Sequence, residues 1–262
     1  MQPTPDTTYL EGAIAVEAAL FSDAREVQGV YADAEMDHRK IEPIRRLAKK
    51  RGMEIQRLSR TQLDERVGHE KHGGVLAEVG PRNFVSLDDL LRYTGDERAL
   101  IVMLDGVEDP FNFGQAVRSL YAAGCHGLVL RPRNWAAPGS GAEAVIARAS
   151  AGTTELMPMA LAETPDEAAA FFKGKNVSVI ATADRDHATD LHEADLTGPM
   201  LLLVGGEKRG LKRSALDAAD QVVRIPYARP FDQALGTVAA TSVLGFEVAR
   251  QRAARVARAG RK

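Results

Sequence analysis

The sequence predicts an α/β protein whose larger domain contains a parallel, doubly wound sheet and whose smaller α/β domain precedes it. An unbroken apolar run at 100–104 has the length of a strand buried on both faces, and a second buried strand is expected at 200–207, where the apolar residues end in glycines. Segments of helical spacing alternate with such runs through the second half of the chain. Gly80-Pro81 closes an earlier and shorter alternation. We therefore expect a small domain at 1–80, a linker at 81–98 and a large domain at 99–262.

Elements of the small domain follow from spacing and from turn residues. In the first predicted helix Ala13, Val16 and Leu20 face inward, and Gly52 ends the second, which is strongly basic. Predicted helices cover 9–20, 41–51 and 61–66, and predicted strands cover 26–31, 55–58 and 73–79. The alternation of these short elements indicates a compact α/β unit.

In the large domain a connecting helix at 85–94 leads into the strand that begins at Leu100. Further strands are predicted at 127–131, 153–159, 177–183, 200–207 and 222–226. Helices are predicted from about Asn112 to Gly124 and at 142–150, 164–173, 212–219 and 232–257. Because helices separate the strands, the strands are expected to run parallel in one sheet.

Composition excludes several classes of protein. With 45% hydrophobic residues, the 262-residue chain has ample material for a core. It contains no apolar run as long as a membrane span and no basic then apolar leader, so a cytoplasmic protein without membrane contact is expected. The single Cys125 excludes an intrachain disulfide and a zinc ribbon, and is expected to pack. His69 and His72 lack metal-ligand spacing, so no metal is expected.

Positive charge is concentrated although the net charge is −2. Residues 39–60 contain nine Lys or Arg and two Glu, whereas residues 1–38 contain eight acids and one Arg. Residues 250–262 contain six bases and no acid. Each run has two interpretations, a solvated helix face or a surface that contacts phosphate groups.

Two polar residues interrupt the apolar pattern after the strand at 100–104. Asn112 and Arg118 lie in the first turns of the next predicted helix, at the sheet edge where ligands bind in open α/β folds. One interpretation is structural, with Asn112 capping the helix and Arg118 solvated. The other is that both belong to a functional site.

A glycine-rich loop, Gly205-Gly206-Glu207-Lys208-Arg209-Gly210, follows the strand at 200–207. Glycines there allow backbone amides to approach a ligand. The loop is neither a P-loop nor GxGxxG, and the chain lacks the GxSxG elbow of hydrolases. Glu207 has two interpretations, a cap of the next helix or a functional group.

Three ordered motifs together resemble those of the SpoU (TrmH-type) RNA ribose methyltransferases. They are Asn112-x-Gly114-x-x-x-Arg118, then Gly205-Gly206-Glu207-x-x-Gly210-Leu211, then Ile225-Pro226 followed by Ala234-Leu235-Gly236. Residues 148–152 (RASAG) match a further family segment, and the small domain resembles the family's ribosomal-protein-like substrate-binding domain. The resemblance covers nearly the whole chain.

The resemblance implies a homodimeric enzyme that uses S-adenosyl-L-methionine to methylate a ribose 2′-hydroxyl in rRNA or tRNA. It also implies that the last third of the catalytic domain forms a trefoil knot. Cofactor contacts carry over to Gly205, Gly206, Ile225 and Leu235, and the end of a neighbouring strand adds Thr182. Arg118 is expected to clamp the phosphate beside the target ribose and to stabilise the forming alkoxide, oriented by Asn112 and Glu207.

The third motif departs from the family pattern. Ala234 and Gly236 stand where the family has Ser and Asn, and Tyr227 replaces the usual Met. A hydroxyl and an amide expected near the cofactor are therefore missing. The alternative function is an RNA-binding protein of the same fold with weak or no methyltransferase activity.

Overall fold

The structure, a computed structural model, describes residues 8–94, 98–132, 142–206 and 208–259. These residues form two compact units. The first unit comprises 8–83 and 142–157, and the second comprises the remaining described residues. Residues 142–157, expected from sequence in the large domain, thus pack with the first unit. The predicted functional boundaries at 80 and 98 stay a prediction.

The elements are named here in chain order. The strands are β1 (Thr8–Glu11), β2 (Arg25–Asp33), β3 (Ile55–Leu58), β4 (Val75–Arg82), β5 (Leu100–Asp105), β6 (Gly127–Leu130), β7 (Met159–Leu161), β8 (Ser178–Thr182), β9 (Thr189–Asp190), β10 (Met200–Gly205) and β11 (Gln221–Arg224). The helices are α1 (Ala13–Phe21), α2 (His38–Lys50), α3 (Arg60–Val67), α4 (Leu87–Thr94), α5 (Pro110–Ala122), α6 (Ala142–Ala149), α7 (Thr153–Leu156), α8 (Pro165–Lys173), α9 (Arg213–Asp217) and α10 (Thr237–Ala259).

The first unit contains a four-stranded sheet in the order β1-β4-β2-β3. β4 is antiparallel to both β1 and β2, whereas β3 is parallel to β2. Its core includes buried Leu10, Val16, Val30 and Ile44. Asp37 caps α2, whose Ile41, Ile44 and Ala48 are buried and whose basic residues are exposed. The predicted alternation of short elements is therefore confirmed.

The structure corrects the start of one predicted element and the type of another. The predicted helix 9–20 begins only at Ala13, because Gly12 has φ +86° and the residues before it pair with β4, with Leu10 opposite Ala77. The predicted strand 153–159 is the short helix α7 followed by the start of β7. Here tertiary contacts override local β-propensity, because Glu155 is buried in an ion-pair cluster.

That cluster of buried charges lies inside the first unit. Arg25 Nε donates to Glu155 Oε2 at 2.9 Å, and Arg25 Nη1 donates to Glu143 Oε2 at 3.1 Å. Arg82 Nη2 donates to the other carboxylate oxygen of Glu155. Since the arginines lie on β2 and β4 and the glutamates on α6 and α7, the cluster fixes residues 142–157 to this sheet.

The second unit contains a seven-stranded sheet in the order β7-β6-β5-β10-β8-β11-β9, and its described strand pairs are parallel. This confirms the predicted parallel sheet, although the two-residue β9 has no sequence signal and was not predicted. β5 is buried along its whole length and β10 along all but its last residue. The carboxyl ends of β8, β10 and β11 therefore lie side by side.

Helix α10 packs against α5, and glycine permits their close approach. A Cβ atom at Gly245 would lie 3.0 Å from the Cβ of Ala123. Within the described part of the chain, no helix has both the length and the apolar composition that crossing a bilayer requires.

Candidate active site

A cavity of about 350 Å³ opens at the carboxyl ends of β8, β10 and β11. The segment between β11 and α10 forms its other wall. The five residues predicted to contact the cofactor all line this cavity, namely Thr182, Gly205, Gly206, Ile225 and Leu235. The fold thus brings together residues that lie in three separate parts of the sequence.

The glycines of this loop are required by the packing of backbone against backbone. A Cβ at Gly205 would lie 2.7 Å from the Cα of Gly210, and a Cβ at Gly206 would lie 2.6 Å from the carbonyl carbon of Gly106. The amide of Gly206 donates to the carbonyl of Asp105 at 2.6 Å, and the amide of Gly210 donates to that of Gly206 at 2.9 Å. A tight loop results, in which no side chain fits at these two positions.

The hydroxyl of Thr182 forms a hydrogen bond within the sheet. Its Oγ1 donates to the carbonyl of Leu203 at 3.1 Å and links β8 to β10. A ligand in the cavity would therefore meet the other atoms of Thr182 first.

Tyr227 organises the wall between β11 and α10. Its hydroxyl accepts a hydrogen bond from the amide of Leu235 at 3.1 Å and donates to the carbonyl of Gln233 at 3.4 Å. Its ring packs on Phe231, with centroids 5.9 Å apart. A residue noted in the sequence only as a departure from the family thus holds the shape of the third motif.

A second cavity, of about 280 Å³, contains Asn112. Its other lining residues are Gly106, Val107, Glu108, Asp109, Lys208 and Thr237. The N-cap of α5 is Asp109, whose Oδ1 accepts from the amides of Phe111 at 2.7 Å and Asn112 at 3.2 Å. The interpretation of Asn112 as the helix cap is therefore wrong.

Arg118 is exposed on α5 and lines neither of these cavities. Six residues of α-helix separate it from Asn112, which is about 9 Å along the axis and about 120° around it. The two side chains hence leave the helix in different directions, and the expectation that Asn112 directly orients Arg118 does not fit this geometry. Arg118 makes no hydrogen bond or ion pair with the described residues.

Glu207 lies outside the described residues. Its neighbour Lys208 forms an ion pair with Glu108, with Nζ and Oε2 2.7 Å apart. Hydrogen bonding to Lys208 lowers the pKa of Glu108. This exposed pair joins the loop after β5 to the loop after β10.

Of the residues that line the second cavity, only Asn112 was predicted as a site residue, and no functional role was predicted for Lys208 or Thr237. Thr237 begins α10 and is buried. It follows Gly236 directly, so a hydroxyl does lie beside the position where the third motif lacks its amide. The sequence signal that could have identified Thr237 was its position directly after the third motif.

Cys125 lines neither of these two cavities. Burial raises the pKa of the Cys125 thiol to about 12, so it stays protonated and packs as expected. Among the described residues, no three His, Cys, Asp or Glu side chains come together as metal ligands. The groups that line the two cavities include backbone amides and carbonyls, hydroxyls, amide side chains, carboxylates and the cations of Arg224 and Lys208.

Comparisons with known proteins give one consistent result. Residues 99–244 match the family described as SpoU rRNA Methylase, and residues 9–85 match RNA 2'-O ribose methyltransferase substrate binding. Over 219 residues, the chain is 36% identical to an "Uncharacterized tRNA/rRNA methyltransferase" of Mycobacterium ulcerans, covering 83% of this chain and 68% of the relative.

A second relative matches over almost its full length. The chain is 30% identical over 244 residues to the 23S rRNA (guanosine-2'-O-)-methyltransferase RlmB of Shewanella oneidensis, covering 92% of this chain and 96% of that protein. In fold, it resembles the SpoU methyltransferase AviRb of Streptomyces viridochromogenes, crystallised with the cofactor AdoMet. That likeness has a TM-score of 0.75 and 22% identity, over 95% of this chain and 92% of the other.

Proposed function

Because the chain belongs to the SpoU rRNA methylase family, we propose that it transfers a methyl group from S-adenosyl-L-methionine to a ribose 2′-hydroxyl of rRNA or tRNA. The observation that carries this proposal is the cavity at the carboxyl ends of β8, β10 and β11, which five predicted cofactor residues line. A protein that only bound RNA would not need this cavity, so the alternative function is not favoured.

The residues of the cavity fit the cofactor. Its volume lies in the range of small-molecule sites. Ile225, Leu235 and Leu244 offer apolar surface for a flat base, and the strand ends offer backbone donors and acceptors. The carboxylate of Asp184 borders the cavity and complements a cationic ligand. When bound there, S-adenosyl-L-methionine would supply a methyl group on a positively charged sulfur.

The protein's own residues would then align and activate the 2′-hydroxyl, which is a poor nucleophile until its proton leaves. We place the target ribose at the second cavity, where Asn112 and Thr237 can position it. Arg118 would clamp a neighbouring phosphate and stabilise negative charge, because its guanidinium is exposed and makes no ion pair with the described residues. For Glu207, in the glycine-rich loop 205–210, we retain the role of orienting Arg118.

We propose that the first unit reads the RNA. Its residues 8–83 overlap the substrate-binding match at 9–85, and residues 142–157 pack with them. Helix α2 presents six exposed basic residues, namely Arg39, Lys40, Arg45, Arg46, Lys49 and Lys50. Arg45 pairs with Glu42 on the same helix, which leaves most of this positive surface for phosphates.

A trefoil knot in the second unit is a further part of the proposal. β11 lies two strands away from β10 and three from β5, yet the following helix α10 packs on α5, which follows β5. The chain must therefore return past the cofactor cavity after β11. Such a return supports a knot, which is rare in proteins generally.

We also propose a homodimer that works in the cytoplasm, where rRNA and tRNA are found. Large apolar side chains are exposed on α5 at Phe111 and Tyr121, seven residues before and three after Arg118. These spacings place them on the same helix face as Arg118. Phe246 of α10 is also exposed, and such apolar surface favours a protein interface.

The test is methyl transfer to defined RNA. The protein is incubated with radiolabelled S-adenosyl-L-methionine and with rRNA or tRNA from cells that lack it. We expect label in an alkali-resistant dinucleotide, since methylation removes the 2′-hydroxyl that attacks during alkaline cleavage. Binding of both cofactor and RNA without any transfer would instead support the RNA-binding alternative.

A further inference from the structure

Three arginines border a cavity of about 480 Å³ at the amino edge of the second unit's sheet. Arg98 comes shortly before β5, and Arg252 and Arg255 lie one turn apart on α10. Residues 197–199, which lead into β10, complete much of the wall. The candidate active site lies at the other end of the same strands, which at six residues are about 20 Å long.

Arg252 is fixed in this cavity by backbone carbonyls. It donates to the carbonyls of Arg98 at 2.7 Å, Ala99 at 3.2 Å and Gly198 at 2.8 Å. Its Nε is buried and has no partner among the described residues. Burial, followed by the positive charge of Arg98, lowers the pKa of Arg252. No carboxylate of the described chain forms an ion pair with it, so its direct partners are neutral carbonyl groups.

Arg98 and Arg255 add two more positive charges at the rim, and both are exposed. Arg255 Nη1 donates to the Thr197 hydroxyl at 2.9 Å, which in turn donates to Asp195 Oδ1 at 2.6 Å. Asp195 thus offsets part of the positive charge of Arg255 through the Thr197 hydroxyl. Among the residues that the structure describes here, the three guanidinium groups that line the cavity outweigh the Asp195 carboxylate linked to them, and the cavity is positive.

We propose that this cavity binds a phosphate group of the RNA, far from the methylated ribose. The inference rests on the proposed function, which supplies a polyanionic substrate. Guanidinium groups bind phosphate oxygens through directed N–H donors, which suits a cavity walled by arginines. Arg258, exposed on the next turn of α10, extends the positive surface beyond the cavity. A continuous phosphate backbone matches this extension better than an isolated anion does.

Arg252 holds the backbone that leads into β5 and β10, whereas Arg255 donates to a side-chain hydroxyl, that of Thr197. Arg98 and Arg255 can therefore be replaced with little effect on folding. The double variant Arg98→Gln/Arg255→Gln tests the proposal. Its matched control is Arg92→Gln/Arg213→Gln, which removes two exposed arginines of the same unit from local pairs with Asp89 and Asp217.

RNA affinity is measured with bulk tRNA and fragmented rRNA over a range of salt concentrations. For the double variant we expect Kd at about 0.15 M salt to rise roughly tenfold, and the salt slope to fall by about 1 per arginine. The control variant should match the parent protein, and the affinity for S-adenosyl-L-methionine should be the same in all three. A double variant with the parent's Kd and salt slope would overturn the proposal.

A second measurement uses the unmodified protein. Phenylglyoxal labels accessible arginines, and mass spectrometry then reads the labelling of each one. We expect RNA to protect Arg98 and Arg255 but not Arg92. Protection by inorganic pyrophosphate without protection by RNA would identify a small-anion site and overturn the proposal. Absence of methyl transfer by the parent protein would refute the proposed function while this labelling pattern still reported on the cavity.

Discussion

The hydroxyl of Tyr227 accepts a hydrogen bond from the backbone amide of Leu235 at 3.1 Å, across eight residues of chain. The same hydroxyl donates to the carbonyl of Gln233 at 3.4 Å. Both contacts lie in the connection between β11 and α10, which borders the candidate cofactor cavity. One side chain therefore sets the conformation of a wall that has no regular secondary structure of its own.

Tyr227→Phe should weaken cofactor binding. The variant keeps the ring packing on Phe231 but loses the hydroxyl, and a net hydrogen bond contributes about 0.5–1.5 kcal/mol. If that free energy holds the loop in its binding conformation, Kd for S-adenosyl-L-methionine should rise about two- to tenfold. Titration calorimetry measures this. The control Tyr93→Phe removes an exposed hydroxyl outside the cavity and should leave Kd unchanged. An unchanged Kd in Tyr227→Phe would mean that the loop keeps its shape without this bond.

Gly206→Ala should destabilise the second unit and abolish cofactor binding. The added Cβ would lie 2.6 Å from the carbonyl carbon of Gly106, which is backbone and cannot rotate away. Overpacking of this kind costs about 1–3 kcal/mol. Thermal unfolding and calorimetry give the two readouts. Gly198→Ala is the matched control, because a Cβ there would have no atom within 4 Å. Equal melting temperatures for the two variants would contradict the packing argument.

Arg118→Ala should keep the fold and the cofactor affinity but lower single-turnover methylation by about 100-fold or more, as when a preorganised transition-state donor is lost. Arg118→Lys should restore little, because an ammonium group lacks the planar fork. The control Arg213→Ala removes another exposed helical arginine, and its single-turnover methylation rate should equal that of the parent protein. A near-normal rate in Arg118→Ala would assign Arg118 to the solvated helix surface and direct attention to Glu207 and Thr237.

Glu247 should make the free energy of unfolding depend on pH in the acidic range. Hydrogen bonding to Arg250, which outweighs the effect of burial, lowers the pKa of Glu247 to about 2. A carboxyl whose folded pKa is depressed stabilises the native state above its unfolded pKa of about 4.3 and loses this contribution as the pH falls through the folded value. Glu247→Gln should therefore be less stable than the parent at pH 6, and the gap should narrow from pH 5 downward. Urea unfolding at several pH values measures it, with exposed Glu193→Gln as the control. A gap that stays constant with pH would show that Glu247 has an ordinary pKa.

The parallel sheet was predictable because its central strands carry their own signal. Five consecutive apolar residues at 100–104 leave no polar face, and β5 is indeed buried throughout. The strand at Tyr9 was not predictable from spacing, because TYLE continues into a helical pattern and Gly12 alone marks the break. The helix α7 depends on Glu155 reaching residues more than 70 positions earlier in the chain. No local window contains that information.

The part of the candidate site that is formed mainly by backbone was predictable from the sequence. The part that depends on side-chain contacts was less predictable. Gly205, Ile225 and Leu235 were found from motif order, and the fold brings them to one cavity. The role of Tyr227 depends on a loop conformation that periodicity does not report. Asn112 and Arg118 were expected to be in contact, but six residues of α-helix are about 1.7 turns, so their side chains leave the helix in different directions.

The buried cluster of Arg25, Arg82, Glu143 and Glu155 has a consequence for how the chain is made. Arg82 and Glu155 are 73 residues apart, and at about 5–20 residues per second the ribosome needs about 4–15 s to pass from one to the other. For most of that interval the nascent sheet of the first unit contains two arginines whose carboxylate partners, Glu143 and Glu155, have not yet been synthesised. The unit at the amino end of the chain therefore completes its folding only after β5, α5 and β6 of the other unit have been synthesised.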